Sequence, residues 1–444
     1  MFALLLAGHL RHAGWLWEGD DLPLAAALQM MHGSVLYRDI WFDKPPLVAA
    51  VYLLWGAKFG AVLRAAGAVY DLIACVLAYL FAARMWTRRE GYWAAGLMAF
   101  FLTFDTHSAV VPLAADSLLL VPHLAAVLLA ARKQSFWAGV AAGVGFLFNT
   151  KGVFVLAACV LFAWPEVMLL AAGFAIPCLA GLGWIASTGA LGAYLDQVWR
   201  WPAEYARSPV VSDPVWNGVA RTLGWLGFHA VLVIGAVALW WRRMGWKFLA
   251  WFVICYVGVV LGWRFFPRYF FLVLPALTLA AARGLSLLRG RVAAVVAIAA
   301  MVVPAVRFAR VNPNDLALDR DSRDVAALAP KSGTLYVWGY RPEIYAYAGL
   351  RPATRFLDSQ AMTGVPADRH LTQSTVVLTK GTREAREGLA RSRPDVLIDG
   401  LGLYNPALTM DHYAELRPWL AEYREVARTK GSVVYVRRPI TIGR

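Results

Sequence analysis

The sequence predicts a polytopic α-helical membrane protein with about 10 to 11 transmembrane helices, followed by a small C-terminal α/β domain. The chain has 444 residues, 60% of them hydrophobic, and a mean hydropathy of +0.54. A soluble protein of this length cannot bury that much apolar surface. Apolar stretches recur as far as residue 309, beyond which charges of both signs are mixed. We therefore predict a transmembrane domain over 1–309 and a soluble α/β domain over 310–444.

The transmembrane helices are predicted from stretches that approach the roughly 20 apolar residues needed to cross a bilayer. The first stretch, 1–10, is short and is followed by Arg11 and His12. We expect either a short first helix or a chain whose start has been placed too late. The other candidate spans are 61–84, 91–107, 113–131, 136–149, 151–165, 167–187, 223–241, 246–263, 268–283 and 291–309.

The loop charges predict an orientation in the membrane. Lys and Arg side chains are concentrated in alternate loops, and such loops lie on the cytoplasmic side. The rule puts two long loops, about 18–60 and 188–222, and the C-terminal domain on the extracytoplasmic face of a multi-pass plasma-membrane protein. Membrane lipids are then the surrounding partners. The net charge of +15 is explained by these loops, so no nucleic-acid partner is expected. The cation-rich loops contain Arg84, Arg88, Arg89, Arg132, Lys133, Arg242, Arg243, Lys247, Arg283, Arg289 and Arg291.

The C-terminal region alternates between short β-like runs and helix-like stretches, which predicts an α/β domain. It has no glycine-rich phosphate loop, so we expect a lid or an acceptor-recognition module. The predicted helices are 320–329, 382–392 and 411–426, and the predicted strands are Thr334–Trp338, Thr375–Leu378, Val396–Ile398 and Val433–Val436.

No cofactor is indicated by the sequence. The four cysteines all lie in apolar stretches and have neither metal-ligand spacing nor a disulfide framework. A divalent metal is compatible with the reaction considered below, but no His/Asp spacing argues for one.

The first outer loop contains the most informative charges. Asp20 and Asp21 follow two tryptophans, and Asp43 and Lys44 precede Pro45-Pro46. A residue before proline is disfavoured in a helix, so Lys44 is expected at a break at the membrane surface. A lone lysine there is usually a headgroup anchor. With carboxylates close by, a reaction site becomes the stronger interpretation.

Further charged residues are predicted at the outer ends of later spans. If these ends converge, cations would hold a phosphate leaving group through charge-assisted hydrogen bonds. A carboxylate would take the proton of the incoming hydroxyl or amine as general base. Arg64 and Asp71, seven positions apart on one span, fit a structural ion pair or a functional role equally well. The outer residues are Asp105, His107, Asp116, Lys151, Arg264 and Arg268.

These motifs resemble the GT-C membrane glycosyltransferases, in particular the branch of protein O-mannosyltransferases and lipid A aminoarabinose transferases. The likeness extends over about 15–285. Its most specific part is the acidic pair followed by the segment Leu36–Leu47, which contains Tyr37 and the Lys-Pro-Pro-Leu motif. The other matching motifs are the Asp116 segment, Asn149-Thr150-Lys151-Gly152 and Arg268-Tyr269.

The resemblance implies a polyprenyl-phosphate sugar donor, a lipid, glycan or protein acceptor, and a site on the extracytoplasmic face. The family's catalytic carboxylate maps to Asp20. Asp21 stands where the family has Glu, which leaves the base open between the two. The family's lysines map to Lys44 and Lys151, and its other acidic positions to Asp43 and Asp116.

Two other functions fit parts of the pattern. A transporter or flippase of a lipid-linked anionic substrate would use the same cations. It would also need alternating access, which is commonly built from inverted repeats, and the sequence shows no such repeat. The second alternative is a non-catalytic member of the family that acts as a binding partner.

Overall fold

The computed structural model describes residues 1–208, 210–288, 290–310 and 316–438. The chain is mostly helical, and a five-stranded sheet lies in its C-terminal region. Arg289, one of the predicted loop cations, lies outside the described residues. The predicted polytopic helical architecture with a small C-terminal sheet is confirmed.

The first outer segment, about 18–60, is predicted as a loop and contains three helices. The chain begins with a nine-residue helix, Phe2–Leu10. After the acidic pair it forms helix Asp21–Met31, the short helix Pro46–Ala50 and the 3-10 helix Val51–Trp55. Pro46 lies in the first turn of its helix, where a missing N–H costs nothing. Lys44 therefore lies in the connecting segment just before helix Pro46–Ala50.

Apolar helices make up the middle of the chain. The longer ones are Ala61–Met85, Arg88–Phe104, Leu120–Ala131, Ser135–Phe148, Gly152–Ala163, Val167–Ser187, Pro214–Phe228, Ala230–Trp241, Trp246–Val260, Leu274–Ser286 and Gly290–Ala309. Shorter elements connect them: His107–Val110, Ala115–Leu118, Leu191–Tyr194, the π-helix Leu195–Arg200, Trp201–Ala206 and the 3-10 helix Pro267–Leu272.

Three predicted spans are interrupted in the structure. The 113–131 span is divided between helices Ala115–Leu118 and Leu120–Ala131, and the 223–241 span is bent by 89° at His229. The 268–283 span begins as a 3-10 helix and becomes α-helical only at Leu274, where Pro275 occupies the first turn. Among the described residues, three helices are long and apolar enough to span a membrane, or four with the bent pair. Other apolar helices are shorter, so the count of 10 to 11 spans stays a prediction.

Glycines allow some of the apolar helices to pack backbone against backbone. A Cβ atom on Gly173 would lie 1.9 Å from the carbonyl oxygen of Phe136, and one on Gly284 would lie 1.7 Å from that of Gly235. Helix pairs in a membrane approach this closely only where small residues face each other. These contacts hold the two helix pairs together.

The C-terminal sheet consists of five strands: β1 Thr334–Trp338, β2 Arg351–Pro352, β3 Val396–Asp399, β4 Tyr423–Arg428 and β5 Val433–Arg437. Their order in the sheet is β2-β1-β3-β5-β4. Strand β1 is parallel to both β2 and β3, whereas β5 is antiparallel to β3 and β4. The helices of this region are Ala317–Leu328, Glu343–Ala348, Gln360–Thr363, Thr382–Ser392 and Arg417–Leu420, and the 3-10 turns are Pro406–Leu408 and Met410–His412.

Two predictions for this region are wrong. The run Thr375–Leu378 is not a strand: Val377 and Leu378 donate their N–H groups to the carbonyl of Gly364. The 411–426 stretch is not one helix, because its last residues form β4 against β5. In both cases long-range pairing decided the structure rather than local propensity.

The C-terminal region packs directly on the outer segments of the transmembrane region. One hydrophobic cluster combines Leu22 of the first outer segment, Val198 of the second and Leu335 of β1. The N–H of Trp41 also donates to the carbonyl of Arg355, at 2.7 Å. The sheet therefore covers the outer ends of the helices. The domain boundary near residue 310 stays a prediction, since 311–315 lie outside the described residues.

Candidate active site

A cavity of about 420 Å³ lies where the first outer segment, the helix ends and the C-terminal region meet. All four cations that the sequence predicted line it, together with three of the predicted carboxylates. These seven residues are Asp21, Asp43, Lys44, Asp116, Lys151, Arg264 and Arg268. The convergence that the sequence analysis had to assume is therefore present in the structure.

Asp116 lies at the centre of the charged cluster. Asn149 donates a hydrogen bond to its Oδ1 at 2.9 Å. The Lys151 Nζ and the Arg268 Nε both lie 3.8 Å from its carboxylate oxygens. These distances are too long for hydrogen bonds, so Asp116 does not use the donors of these two cavity-lining cations. The Lys151 Nζ also lies 3.2 Å from the ring centroid of Tyr269, a cation–π contact that helps to position it.

Close packing positions Lys151. It lies directly before helix Gly152–Ala163, and a Cβ atom on Gly152 would be only 2.6 Å from the backbone nitrogen of Phe146. The Asn149 side chain accepts a hydrogen bond from the Lys151 N–H at 3.0 Å. The Asn-Thr-Lys-Gly motif is thus a tight turn that directs its lysine toward Asp116.

Arg268 connects the acidic segment to this cluster. Its Nη1 donates to the Glu18 carbonyl at 3.1 Å, and its Nη2 lies 3.6 Å from the Glu18 carboxylate. The 3-10 helix Pro267–Leu272 carries it, and the turn at Gly19 leaves room for its guanidinium, 3.3 Å from where a Cβ would be. Gly19 has a φ of +115°, which favours glycine.

Lys44 lines the cavity from the first outer segment. It pairs with Asp43 at 2.7 Å, and its carbonyl accepts a hydrogen bond from the Tyr37 hydroxyl at 2.8 Å. Tyr37 is fully buried and has a φ of +68°. It does not line the cavity, and its contribution is to brace the turn that presents Lys44.

Arg264 lines the cavity, but its charge is already compensated. Its Nη1 lies 2.9 Å from Asp368, and its Nη2 donates to the carbonyls of Tyr205 and Ser208 at 2.8 and 3.0 Å. The predicted phosphate-binding role therefore has less support for Arg264 than for Lys151 and Arg268. Arg264 links the second outer loop to the C-terminal region.

The two adjacent aspartates have different environments. Asp20 is fully buried and does not line the cavity. Its Oδ2 lies 2.8 Å from the Arg64 guanidinium, and its Oδ1 accepts from the Leu113 N–H at 2.7 Å. Arg64 therefore pairs with Asp20, whereas Asp71 pairs with His9 at 2.9 Å.

Asp21 faces the cavity at the start of helix Asp21–Met31. Its Oδ1 accepts a hydrogen bond from the Gly19 N–H at 2.9 Å. Burial raises the pKa of its carboxyl well above the ordinary value, and the nearby carboxylates of Glu343 and Glu18 raise it further. A carboxyl with a raised pKa suits general-base chemistry near neutral pH. Of the two candidates for the base, the geometry favours Asp21.

A second cavity, of about 580 Å³, adjoins the first. The two share Glu18, Asp21, Arg268, Tyr340 and Ala367 along their common edge. Asp105 and His107, predicted to support the charged cluster, line only this second cavity. Asp105 is paired with His229 at 3.1 Å, and the His107 ring stacks between Trp17 and Phe308.

Several lining residues were given no role by the sequence analysis. Glu18 and Asn149 lie within motifs that were recognised, so adjacency to the acidic pair and to Lys151 was the available signal. Tyr340, Gln360 and Asp368 come from the C-terminal region and have no local signal at all. Across the described ranges, no group of three or more His, Cys, Asp and Glu residues could hold a metal ion.

No known protein-family profile matches the sequence, and no curated protein matches it. Solved structures, however, do align with this chain. The crystal structure of ArnT from Cupriavidus metallidurans bound to undecaprenyl phosphate aligns with a TM-score of 0.65 and 15% identity, covering 100% of this chain and 98% of ArnT. The chain has the fold of ArnT. The apo structure of the same protein aligns at a TM-score of 0.59 and 15% identity, covering 94% of this chain and 93% of ArnT.

ArnT is a lipid A aminoarabinose transferase of the GT-C superfamily, so the predicted resemblance in fold is confirmed. A weaker alignment, with a TM-score of 0.45 and 14% identity, is to the Archaeoglobus fulgidus oligosaccharyltransferase, covering 95% of this chain and 70% of that one. At these identities the likeness concerns the fold, and the chemistry has to be argued from the cavity itself.

Proposed function

We propose that this protein is an integral-membrane glycosyltransferase that transfers a sugar from a polyprenyl-phosphate donor to an acceptor on the extracytoplasmic face of the plasma membrane. The observation that carries the proposal is the meeting of Asp21 with Lys44, Lys151 and Arg268 around one cavity at the helix ends. The ArnT of the same fold was crystallised with undecaprenyl phosphate, which supports this class of donor.

The cations perform the part of the reaction that needs positive charge. As the bond between the sugar C1 and the phosphate oxygen breaks, the electron pair goes to the phosphate. Lys151 and Arg268 lie 3.8 Å from Asp116, and they turn their free donors to the phosphate oxygens. Charge-assisted hydrogen bonds of this kind stabilise the leaving group most when its charge is greatest.

Asp21 performs the part that needs a base. The acceptor's hydroxyl or amine attacks C1 and transfers its proton to the Asp21 carboxylate. Because Asp21 lines both cavities, a donor in the first cavity and an acceptor in the second both reach it. The products are the glycosylated acceptor, a polyprenyl phosphate and a protonated Asp21, which then releases its proton to solvent.

Apolar side chains on one side of the first cavity suit the prenyl tail. Val198 and Trp201 come from the second outer loop, and Leu261 and Phe266 follow helix Trp246–Val260. Leu261 is 56% exposed, so this wall opens toward the lipid. The tail leaves between these two segments while its phosphate stays with the cations.

The test is a transfer assay on the full chain in lipid nanodiscs with a panel of polyprenyl-phosphate sugars. We expect release of polyprenyl phosphate with at least one donor, and loss of that release in Arg268→Ala. The matched control is Arg200→Ala, since Arg200 is exposed, pairs with Asp196 and lines neither cavity. Mass spectrometry of lipids that accumulate in a deletion strain identifies the donor.

The carrier alternative predicts a different result. A flippase would move a fluorescent polyprenyl phosphate across a proteoliposome membrane and would leave the sugar–phosphate bond intact. Transport without bond cleavage would overturn the proposed transfer reaction. Binding of donors with neither transport nor cleavage would instead favour a non-catalytic protein.

A further inference from the structure

Tyr340 lies on the edge shared by the two cavities and comes from the C-terminal region. It is partly buried, and its hydroxyl makes no hydrogen bond to the described part of the chain. Three tyrosines close to it in sequence are hydrogen-bonded through their hydroxyls. Tyr336 donates to the Asp358 carbonyl at 3.1 Å, Tyr345 accepts from the Val337 N–H at 3.2 Å, and Tyr347 donates to Asp319. Tyr340 therefore keeps its hydroxyl for the cavity.

The fold directs Tyr340 to this edge. It follows β1, the strand between two parallel neighbours, and the carboxyl ends of parallel strands are where such sheets bind ligands. The turn passes through Gly339, which has a φ of +123° and would place a Cβ 3.3 Å from the carbonyl carbon of Gly400. Its N–H donates to the Ser359 hydroxyl at 2.9 Å. The sharp turn brings the next side chain over the cavity.

The residue after Tyr340 anchors that turn. The Arg341 Nη1 lies 2.9 Å from Asp321 and 2.8 Å from the Ser432 hydroxyl, and its Nη2 donates to the Leu318 carbonyl at 2.6 Å. Arg341 is buried, so this network holds the backbone after Tyr340, and the Gly339–Ser359 hydrogen bond holds the backbone before it. A side chain on such a support needs little reordering when a ligand arrives.

The charges around Tyr340 keep it a hydrogen-bond donor. Burial raises the pKa of its phenol, and the neighbouring carboxylates of Asp21, Asp43, Asp358 and Glu18 raise it further. The phenol therefore stays protonated. An unpaired O–H group beside Asp21, at the meeting of the two cavities, is placed to bind an oxygen of the incoming acceptor.

We propose that Tyr340 positions the acceptor. The acceptor enters from the second cavity toward Asp21, and the Tyr340 hydroxyl donates a hydrogen bond to an acceptor oxygen next to the nucleophilic group. This inference rests on the proposed transfer reaction. It gives the C-terminal region a part in selecting acceptors that carry a second oxygen next to the reacting group, as sugars do. Water has no such second oxygen.

The experiment compares transfer with hydrolysis in Tyr340→Phe, which loses only the hydroxyl. The full chain in nanodiscs is given a donor that it cleaves, either with water as the sole acceptor or with a total envelope lipid extract. We expect the apparent KM for the extract to rise about three- to tenfold, as for the loss of one neutral hydrogen bond. Donor hydrolysis and the Kd for undecaprenyl phosphate should stay within about twofold of the wild type.

Tyr404→Phe is the matched control, because Tyr404 is an exposed tyrosine of the same region and lines neither cavity. An unchanged KM in Tyr340→Phe would overturn the inference, as would an equal fall in transfer and hydrolysis. Melting temperatures of the two variants show whether each is folded. A wild-type protein that neither transfers nor hydrolyses would contradict the proposed function itself, which is a separate outcome.

Discussion

Two clusters of opposite charges lie close together in this protein and differ in how tightly they are paired. Around Asp20, the Arg64 guanidinium is 2.8 Å from the carboxylate, and both side chains are almost completely buried. Around Asp116, Lys151 and Arg268 approach only to 3.8 Å, and all three line a cavity. Asp20 belongs to the first cluster, whereas Asp21, the next residue in sequence, lines the same cavity as the second.

The difference distinguishes charges that stabilise the fold from charges that remain available to a ligand. A short buried ion pair fixes the backbone around it, and losing one partner leaves an uncompensated charge. Cations held away from their carboxylate keep donors free for a ligand. On this comparison Asp20 holds the first outer segment in place, whereas Asp21 and the Asp116 cluster are the groups to which we assign the proposed reaction.

The largest expected effect is on catalysis. Asp21→Asn keeps the shape of the side chain but cannot accept the proton, so turnover should fall by about 10²- to 10⁴-fold. Initial rates of polyprenyl phosphate release measure this change. The variant should keep the wild-type melting temperature and donor affinity. Full activity in Asp21→Asn would mean that Asp20 or Glu18 is the base instead.

Asp20→Asn should act on stability instead. The buried Arg64 would lose its counter-charge, which costs about 3–5 kcal/mol, seen as a lower melting temperature of the solubilised protein and a lower yield. Asp39→Asn is the control, because its pair with Arg38 is exposed and such a pair contributes little to stability. An Asp20→Asn protein with wild-type stability and no activity would contradict the structural role of Asp20.

The phosphate-binding role of the loosely paired cations is tested with Lys151→Met. Removing one charged donor should weaken undecaprenyl phosphate binding by about 10- to 100-fold, as for the loss of a charge-assisted hydrogen bond. Titration in nanodiscs measures the Kd, and added salt should weaken wild-type binding more than binding by the variant. Lys58→Met, at an exposed lysine that lines neither of the two cavities, should bind normally.

The pH profile sharpens the assignment of the base. Asp21 acts as a base only when ionised, so kcat/KM should rise with pH as it loses its proton. Since burial raises its pKa, the midpoint of this rise should lie above about 4, the range of an ordinary carboxyl. A profile flat from pH 4 to 9, measured by donor hydrolysis, would exclude Asp21.

The smallest expected effect concerns Asp358, which lies beside the first cavity but does not line it. Burial raises its pKa to about 7, so the folded protein holds this proton up to neutral pH, whereas the unfolded chain loses it near 4. Stability should therefore fall as pH rises from about 4 to 7. Asp358→Asn should lessen that fall in melting temperature between pH 5 and 8 without moving the activity profile.

The class of protein and the cations that line the first cavity can be predicted from the sequence alone. Hydropathy decides which segments enter the bilayer, and Pro45-Pro46 and Asn149-Thr150-Lys151-Gly152 specify local turns that present Lys44 and Lys151 at helix ends. These are short-range effects, so a linear pattern records them. The same patterns could not reveal that the spans 113–131, 223–241 and 268–283 are interrupted.

Which charges meet depends on how distant segments of the chain pack together. Asp20 turned inward because Arg64, Tyr52 and the Leu113 N–H surround it, and none of these is near it in sequence. Asp105 and His107 line the second cavity because their partners are likewise distant in sequence. Tyr340 and Asp368 reach the site because the C-terminal sheet packs on the outer segments. Burial and partner choice depend on contacts between distant parts of the chain, and local sequence does not encode them.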